Sequence, residues 1–95
     1  MSYLLNYDFT NEEIEEFCAN VPPMLLEQLF NSYRLVSKNL DALKEMGIKN
    51  HKEFFLKFYD MFLMDNSNFL NIFSKYDPKD LIDKINDNID IVEFL

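Results

Sequence analysis

A short polar signature occurs three times along the chain, and each time an apolar stretch with helical spacing follows it. Thr10-Asn11-Glu12-Glu13, Asn50-His51-Lys52-Glu53 and Asp77-Pro78-Lys79-Asp80 each place a capping side chain three positions ahead of an acid. The first side chain can accept from the orphan N–H groups of a helix start, and the acid can reach back to the cap's own N–H. Behind the three signatures come Ile14, Phe17, Cys18 and Val21; then Phe54, Phe58, Met61 and Phe62; then Leu81, Ile82, Ile85 and Ile89. Spacings of three and four put such residues on one side of an α-helix. With one glycine, no hairpin dipeptide and almost no alternation of apolar with polar residues, strands have little to build on. The expectation is an all-α protein, a small bundle or short solenoid of about five to six helices, in a single domain over residues 1–95.

The punctuation between signatures sets the expected boundaries. A first helix runs from about Glu12 to Asn20 and ends before Pro22-Pro23, because the residue ahead of a proline avoids the α region. The next carries Leu26, Leu29, Phe30, Tyr33, Val36, Leu40, Leu43 and Met46, as one long helix or as two meeting near Arg34-Leu35. Gly47, the only glycine, suits the left-handed residue that closes a helix. Asn50 opens a third helix with a mostly aromatic face, and Asp65-Asn66-Ser67-Asn68 interrupts it ahead of a short fourth helix through Phe69, Leu70 and Phe73. Asp77 and Pro78 start the last helix, with Ile82, Ile85, Ile89 and Val92 as its buried stripe. A break at Asp87 or Asn88, leaving a short final helix, stays open. The signatures begin 40 and then 27 residues apart, so a regular solenoid competes with an ordinary bundle whose helices are well capped.

Two segments resemble a known family. Leu5-Asn6-Tyr7-Asp8-Phe9-Thr10-Asn11-Glu12-Glu13-Ile14, followed by Val21-Pro22-Pro23-Met24-Leu25-Leu26, resembles a mitochondrial transcription termination factor repeat, as does Asn39-Leu40-Asp41-Ala42-Leu43-Lys44-Glu45-Met46-Gly47-Ile48. The resemblance implies a curved helical solenoid that binds nucleic acid through a basic groove. The unit containing Tyr59-Asp60-Met61-Phe62 lacks the family's proline, and the net charge has the opposite sign to that of such a groove. Only the helical architecture is carried over, and none of the nucleic-acid contacts.

Charge narrows the function classes. The net charge is −8 and the isoelectric point near 4.4, which argues against phosphate-backbone binding, a task for clustered Lys and Arg. Residues 1–30 hold Asp8, Glu12, Glu13, Glu15, Glu16 and Glu27 with no Lys or Arg, whereas the middle third holds Arg34, Lys38, Lys44, Lys49, Lys52 and Lys57. Ten Phe and five Tyr supply a core without disulfides. Cys18, the single cysteine, cannot form an internal disulfide and points to a reducing compartment. Met1–Asn6 lacks the basic residues of a signal peptide, and no apolar run nears the roughly 20 residues of a membrane span, so a cytoplasmic protein is expected.

Catalytic chemistry finds little support. A Cys18–His51 dyad is formally possible, but Cys18 lies on the apolar stripe with Ile14 and Phe17, where a buried thiol is expected. His51, at a first helical position, is expected in solvent. Asp83-Lys84-Ile85-Asn86-Asp87-Asn88 puts an isoleucine where a calcium loop needs oxygen, and one glycine cannot build a phosphate-cradling loop. The chain therefore reads as a non-enzyme without metal or cofactor.

Two features point instead to a partner. Phe54, Phe55, Phe58, Tyr59 and Phe62 fall within nine residues, so either one pair, Phe55 and Tyr59 or Phe54 and Phe58, reaches a second surface or the bundle wraps this helix on every side. Phe94 and Leu95 also look exposed. The acids Glu12, Glu13, Glu15 and Glu16, and the row Asp83, Asp87 and Asp90, could orient a partner or imitate a row of phosphates. Plain solvation of a helix surface would account for both equally well. The candidate contact residues are Phe55, Tyr59, Glu12, Glu16, Asp83, Asp87 and Asp90. The leading reading is a non-catalytic, acidic, regulatory module that binds another protein or a second copy of itself. The alternatives are an acidic mimic that inhibits a nucleic-acid enzyme by filling its basic groove, for example a phage-encoded anti-defence protein, and a divergent helical-repeat nucleic-acid binder.

Overall fold

The computed structural model describes all 95 residues and contains no strand. Its six α-helices are α1 (Asn11–Asn20), α2 (Pro23–Asn31), α3 (Tyr33–Met46), α4 (His51–Phe58), α5 (Asn66–Ser74) and α6 (Pro78–Asp87). Three 3-10 helices, Ser2–Tyr7, Tyr59–Leu63 and Ile89–Phe94, complete the chain. The helical pieces thus outnumber the expected five to six, because expected long helices break and both chain ends wind.

The three signatures all mark helix starts, but they are built differently. Thr10 forms a reciprocal box: the Glu13 N–H donates to Thr10 Oγ1 at 3.1 Å, and the Thr10 N–H donates to Glu13 Oε1 at 2.9 Å. Asp77 accepts from the Lys79 and Asp80 N–H groups, yet the Asp80 carboxylate turns away to Lys84 at 3.0 Å. Asn50 does not cap α4 with its side chain at all. Its amide Nδ2 donates to the Ile85 carbonyl at 2.7 Å, tying the start of α4 to α6, and its Oδ1 is left buried without a partner. Gly47 closes α3 in the left-handed region at φ 89°, and the Ile48 N–H returns to the Leu43 carbonyl.

Of two helix breaks, one is an open alternative in the sequence and the other is not readable from local pattern. Between α2 and α3 the chain turns at Ser32 (φ −101°, ψ 28°), slightly ahead of the Arg34-Leu35 site. The aromatic helix stops at Phe58 (φ −129°, ψ 40°) instead of continuing to Phe62, and a 3-10 segment takes over. A fully buried amide on α3 secures the far end of that 3-10 segment. Asn39 Nδ2 donates to the carbonyls of Phe62 (3.1 Å) and Met64 (2.9 Å), and its Oδ1 accepts from Asn66 Nδ2 at 3.0 Å. Carbonyls that lose helical partners in a dry interior need such a replacement.

The core gathers around α3 and α4. Val36, Leu40 and Leu43 of α3 are fully buried, as are both Phe54 and Phe55 of α4. Successive residues on a helix point about 100° apart, so α4 buries two faces at once. Phe54 packs on Phe62, Phe69 and Phe73 with ring centroids 5.5, 6.4 and 6.2 Å away. Phe55 packs on Phe9, Phe17 and Phe62 at 5.7, 5.1 and 5.2 Å. Tilted and edge-on pairs of this kind add about 0.5–1.5 kcal/mol each beyond area burial. At the C-terminus, α6 ends at Asn88 (φ −151°, ψ 107°), and Ile89 and Val92 are buried from the final 3-10 helix, not from α6.

Truncating Phe55 to Ala should cost about 3–5 kcal/mol through cavity formation. Asn39→Ala should cost about 3 kcal/mol by stranding buried carbonyls. Urea denaturation should show a lowered midpoint with an unchanged slope in each case. An unshifted midpoint for Asn39→Ala would mean that the Phe62 and Met64 carbonyls do not depend on this amide.

Candidate functional site

The clearest concave surface lies between α1 and α4, and aromatic packing sets its shape. Phe17 of α1 stacks on Phe55 at 5.1 Å and meets the ring of Tyr59 edge-on at 5.4 Å. At one end Lys52 reaches across from α4 to Glu13, Nζ to Oε1 2.9 Å, and lies 5.7 Å from the Phe9 ring centroid. Beside this seam opens a groove of about 400 Å³, lined by Glu13, Glu16, Phe17, Asn20, Val21, Leu56 and Tyr59. The α1 residues recur every three or four positions, so they form one helix face, and Leu56 and Tyr59 make the opposite wall. Leu56 is 38% exposed, and Tyr59 is half-buried.

The two acids at the groove differ. Glu13 is already engaged: the Lys52 ammonium, and then the Thr10 N–H, hold its carboxyl below the usual glutamate range. Glu16 has no cation partner among the ion pairs of the protein, which are His51–Asp8, Lys52–Glu13, Lys57–Asp90 and Lys84–Asp80. Glu12, four residues before Glu16, is exposed and equally unpaired. The groove therefore combines an apolar floor with an uncompensated carboxylate rim.

Of the seven residues expected to contact a partner, Glu16 and Tyr59 meet in this groove and Glu12 lies one turn away on α1. Phe55 does not belong to the surface. It is 0% exposed, because Phe9, Phe17 and Phe62 enclose the side of α4 that Phe54 leaves open. Asp83 and Asp87 stand exposed one turn apart on α6, but the expected three-acid row ends there. Asp90 lies beyond the Asn88 break and pairs with Lys57 at 2.8 Å, an interaction that holds the Lys57 ammonium above its usual range.

His51 is likewise not in solvent. It is 7% exposed, with Nε2 2.9 Å from the Tyr7 carbonyl and 3.3 Å from Asp8 Oδ2. A ring N–H donated to that carbonyl ties the N-terminal 3-10 helix to α4, so His51 is spent structurally. Cys18 is half-buried and not fully enclosed, and no group of three His, Cys, Asp or Glu side chains converges as a metal site would need. Phe94, at 81% exposure, is as open as its position suggested, while Leu95 is half-buried.

Leu56 and Asn20 were missed as groove residues. The signal for Leu56 was an apolar residue off the Phe54–Phe58 stripe; for Asn20 there was none, since its neighbour across the groove is remote in sequence. Phe30, read as an apolar helix position, is 60% exposed on α2. No family model matches the chain, and neither a curated protein nor a solved structure matches it significantly.

A carboxyl whose pKa is lowered by folding contributes stability that is present above its ordinary value, 4.5 for glutamate, and is lost as pH falls through its folded value. Glu13→Gln keeps an acceptor for Thr10 but loses the charge that faces Lys52. Melting temperature followed from about pH 6 to about pH 3 should therefore fall less steeply for Glu13→Gln than for the parent protein. Parallel curves would contradict the role given to the Lys52–Glu13 pair.

Proposed function

We propose that this protein is a non-catalytic regulatory module that binds another protein in the groove between α1 and α4. One observation carries the reading: exposed Leu56 and half-buried Tyr59 lie against an α1 wall whose Glu16 carboxylate no internal cation neutralises. Apolar surface supplies affinity at such contacts, and rim charge supplies orientation and selects the partner. The volume sits near the lower end of the range for binding pockets, about 300–1,000 Å³, and suits a few inserted side chains. No helix is long and apolar enough to cross a membrane. A cytoplasmic setting belongs to the same reading, since free Cys18 is at home in a reducing compartment.

The competing readings have less under them. A phosphate mimic at this end would have two unpaired carboxylates, Asp83 and Asp87, because Lys84 engages Asp80 and Lys57 engages Asp90, so what supports a basic groove as partner is now the acidic face of α1. A nucleic-acid binder would have to rely on Arg34, Lys38, Lys44 and Lys49, because Lys52 and Lys57 are engaged by Glu13 and Asp90. A second copy of the chain is disfavoured as partner by a net charge of −8 on each.

Affinity capture from the native host, run in parallel with variants, tests the proposal. Leu56→Lys should abolish capture of a specific protein while leaving the helical spectrum unchanged, and the double variant Asp83→Asn, Asp87→Asn should capture it normally. Capture that survives Leu56→Lys but is lost on the α6 double variant would move the binding face to α6 and overturn the assignment.

A further inference from the structure

We infer that the occupant of the α1/α4 groove is a basic amphipathic helix, one whose apolar stripe is flanked by Lys or Arg. The inference rests on reading the groove as a protein-docking site and adds the chemistry of the segment that docks. Its first support is backbone accounting. Both walls are helical, so their N–H and C=O groups are largely consumed internally, and no strand edge faces the groove. An extended segment would find no main-chain partners there, whereas a helix arrives with its own backbone satisfied and offers only side chains. From Glu13 to Val21 the α1 wall rises about 12 Å, roughly two helical turns, which matches apolar anchors at i, i+3 or i+4, and i+7.

The second support is charge complementarity. Residues 1–30 carry six acids and no Lys or Arg, and α1 places Glu13 and Glu16 on the groove wall with Glu12 one turn before Glu16 at its edge. Lys52 already shows how this face accepts an ammonium: it bridges α4 to Glu13 at 2.9 Å while lying along the Phe9 ring. Glu16 is the next carboxylate along the same wall and has no such cation, with Phe17 and Tyr59 supplying the apolar surface beside it. A Lys or Arg placed next to an apolar anchor repeats at Glu16 what Lys52 does at Glu13. An acidic segment would meet like charge on that wall, which provides the discrimination. Glu16 is thus the specificity residue, and Leu56 and Tyr59 are the affinity residues.

The test uses two synthetic helical peptides with the same leucine stripe, one flanked by lysines and the other by glutamates, titrated into the full-length 15N-labelled protein. The lysine peptide should shift the amides of Glu13–Val21 and Leu56–Tyr59 and bind at least tenfold tighter than the glutamate peptide. Glu16→Lys should weaken it about tenfold, while the charge-matched control Asp83→Lys should leave it nearly unchanged. The spectra themselves show whether each variant is folded. Equal binding of the two peptides in the groove, or insensitivity to Glu16→Lys, would overturn the basic partner but leave groove docking standing. Equal weakening by Asp83→Lys, with shifts spread along α6, would reduce the effect to diffuse attraction and overturn the inference. If neither peptide shifts the groove amides, the docking reading falls with it.

Discussion

Burial of two consecutive phenylalanines on one short helix is the constraint on which the rest of the molecule depends. Phe54 and Phe55 point about 100° apart, so neither can be hidden without covering α4 from two sides. Phe69 and Phe73 of α5 come to one side, Phe9 and Phe17 to the other, and Phe62 touches both rings. A continuous helix from His51 to Leu63 would not keep Phe62 in reach of both. The non-helical Phe58 (φ −129°, ψ 40°) redirects the chain into the 3-10 segment, and buried Asn39 takes up the Phe62 and Met64 carbonyls at the far end of it.

The groove is a by-product of the same packing. Phe17 draws α1 against α4 through Phe55 and Tyr59, and the helices diverge enough beyond that contact to leave Leu56 and Val21 lining an open channel. Polar ties then fix the N-terminal segment that carries Phe9. Tyr3 donates to the Leu29 carbonyl at 2.9 Å, Tyr7 lies within hydrogen-bond distance of Asp41 and the Ser37 carbonyl, and His51 meets the Tyr7 carbonyl. Burial holds both phenols above their usual range, so these hydroxyls stay donors across ordinary pH. These ties hold Phe9 against Phe55, behind the wall that α4 gives to the groove.

Helix starts were readable because capping is local chemistry: Thr10, Asp65 and Asp77 each satisfy N–H groups within three residues. Gly47 was readable for a similar reason, since a left-handed residue favours glycine wherever it occurs. What could not be read were features fixed by partners remote in sequence. The close of the 3-10 segment after α4 depends on Asn39, 23 residues before Phe62, and the burial of His51 depends on Tyr7, 44 residues away. Asn50 looked like a cap because its type and position fit, yet Ile85, 35 residues on, holds its amide. Phe55 was a contact candidate because one helix face cannot hide five aromatics, and the competing expectation, a bundle that wraps this helix on every side, is the one that holds for it. The acidic row on α6 failed for a local reason, the extended turn at Asn88, which sequence pattern left open. Glu16 and Tyr59 could be named but not joined, because Phe17 meets Phe55 and Tyr59, and Glu13 meets Lys52, across about 40 residues of sequence.

Native-state amide hydrogen exchange measures most directly whether the aromatic interior holds the groove together. If Phe17 locks α1 onto Phe55 and Tyr59, the amides around Phe17 and Val21 exchange through the same global opening as those of Leu40, Leu43 and Phe55, with a matching dependence on denaturant. Exchange of α1 through a separate, low-energy opening, while α3 and α4 remain protected, would mean that the acidic wall is not fixed by the core and that no preformed groove exists.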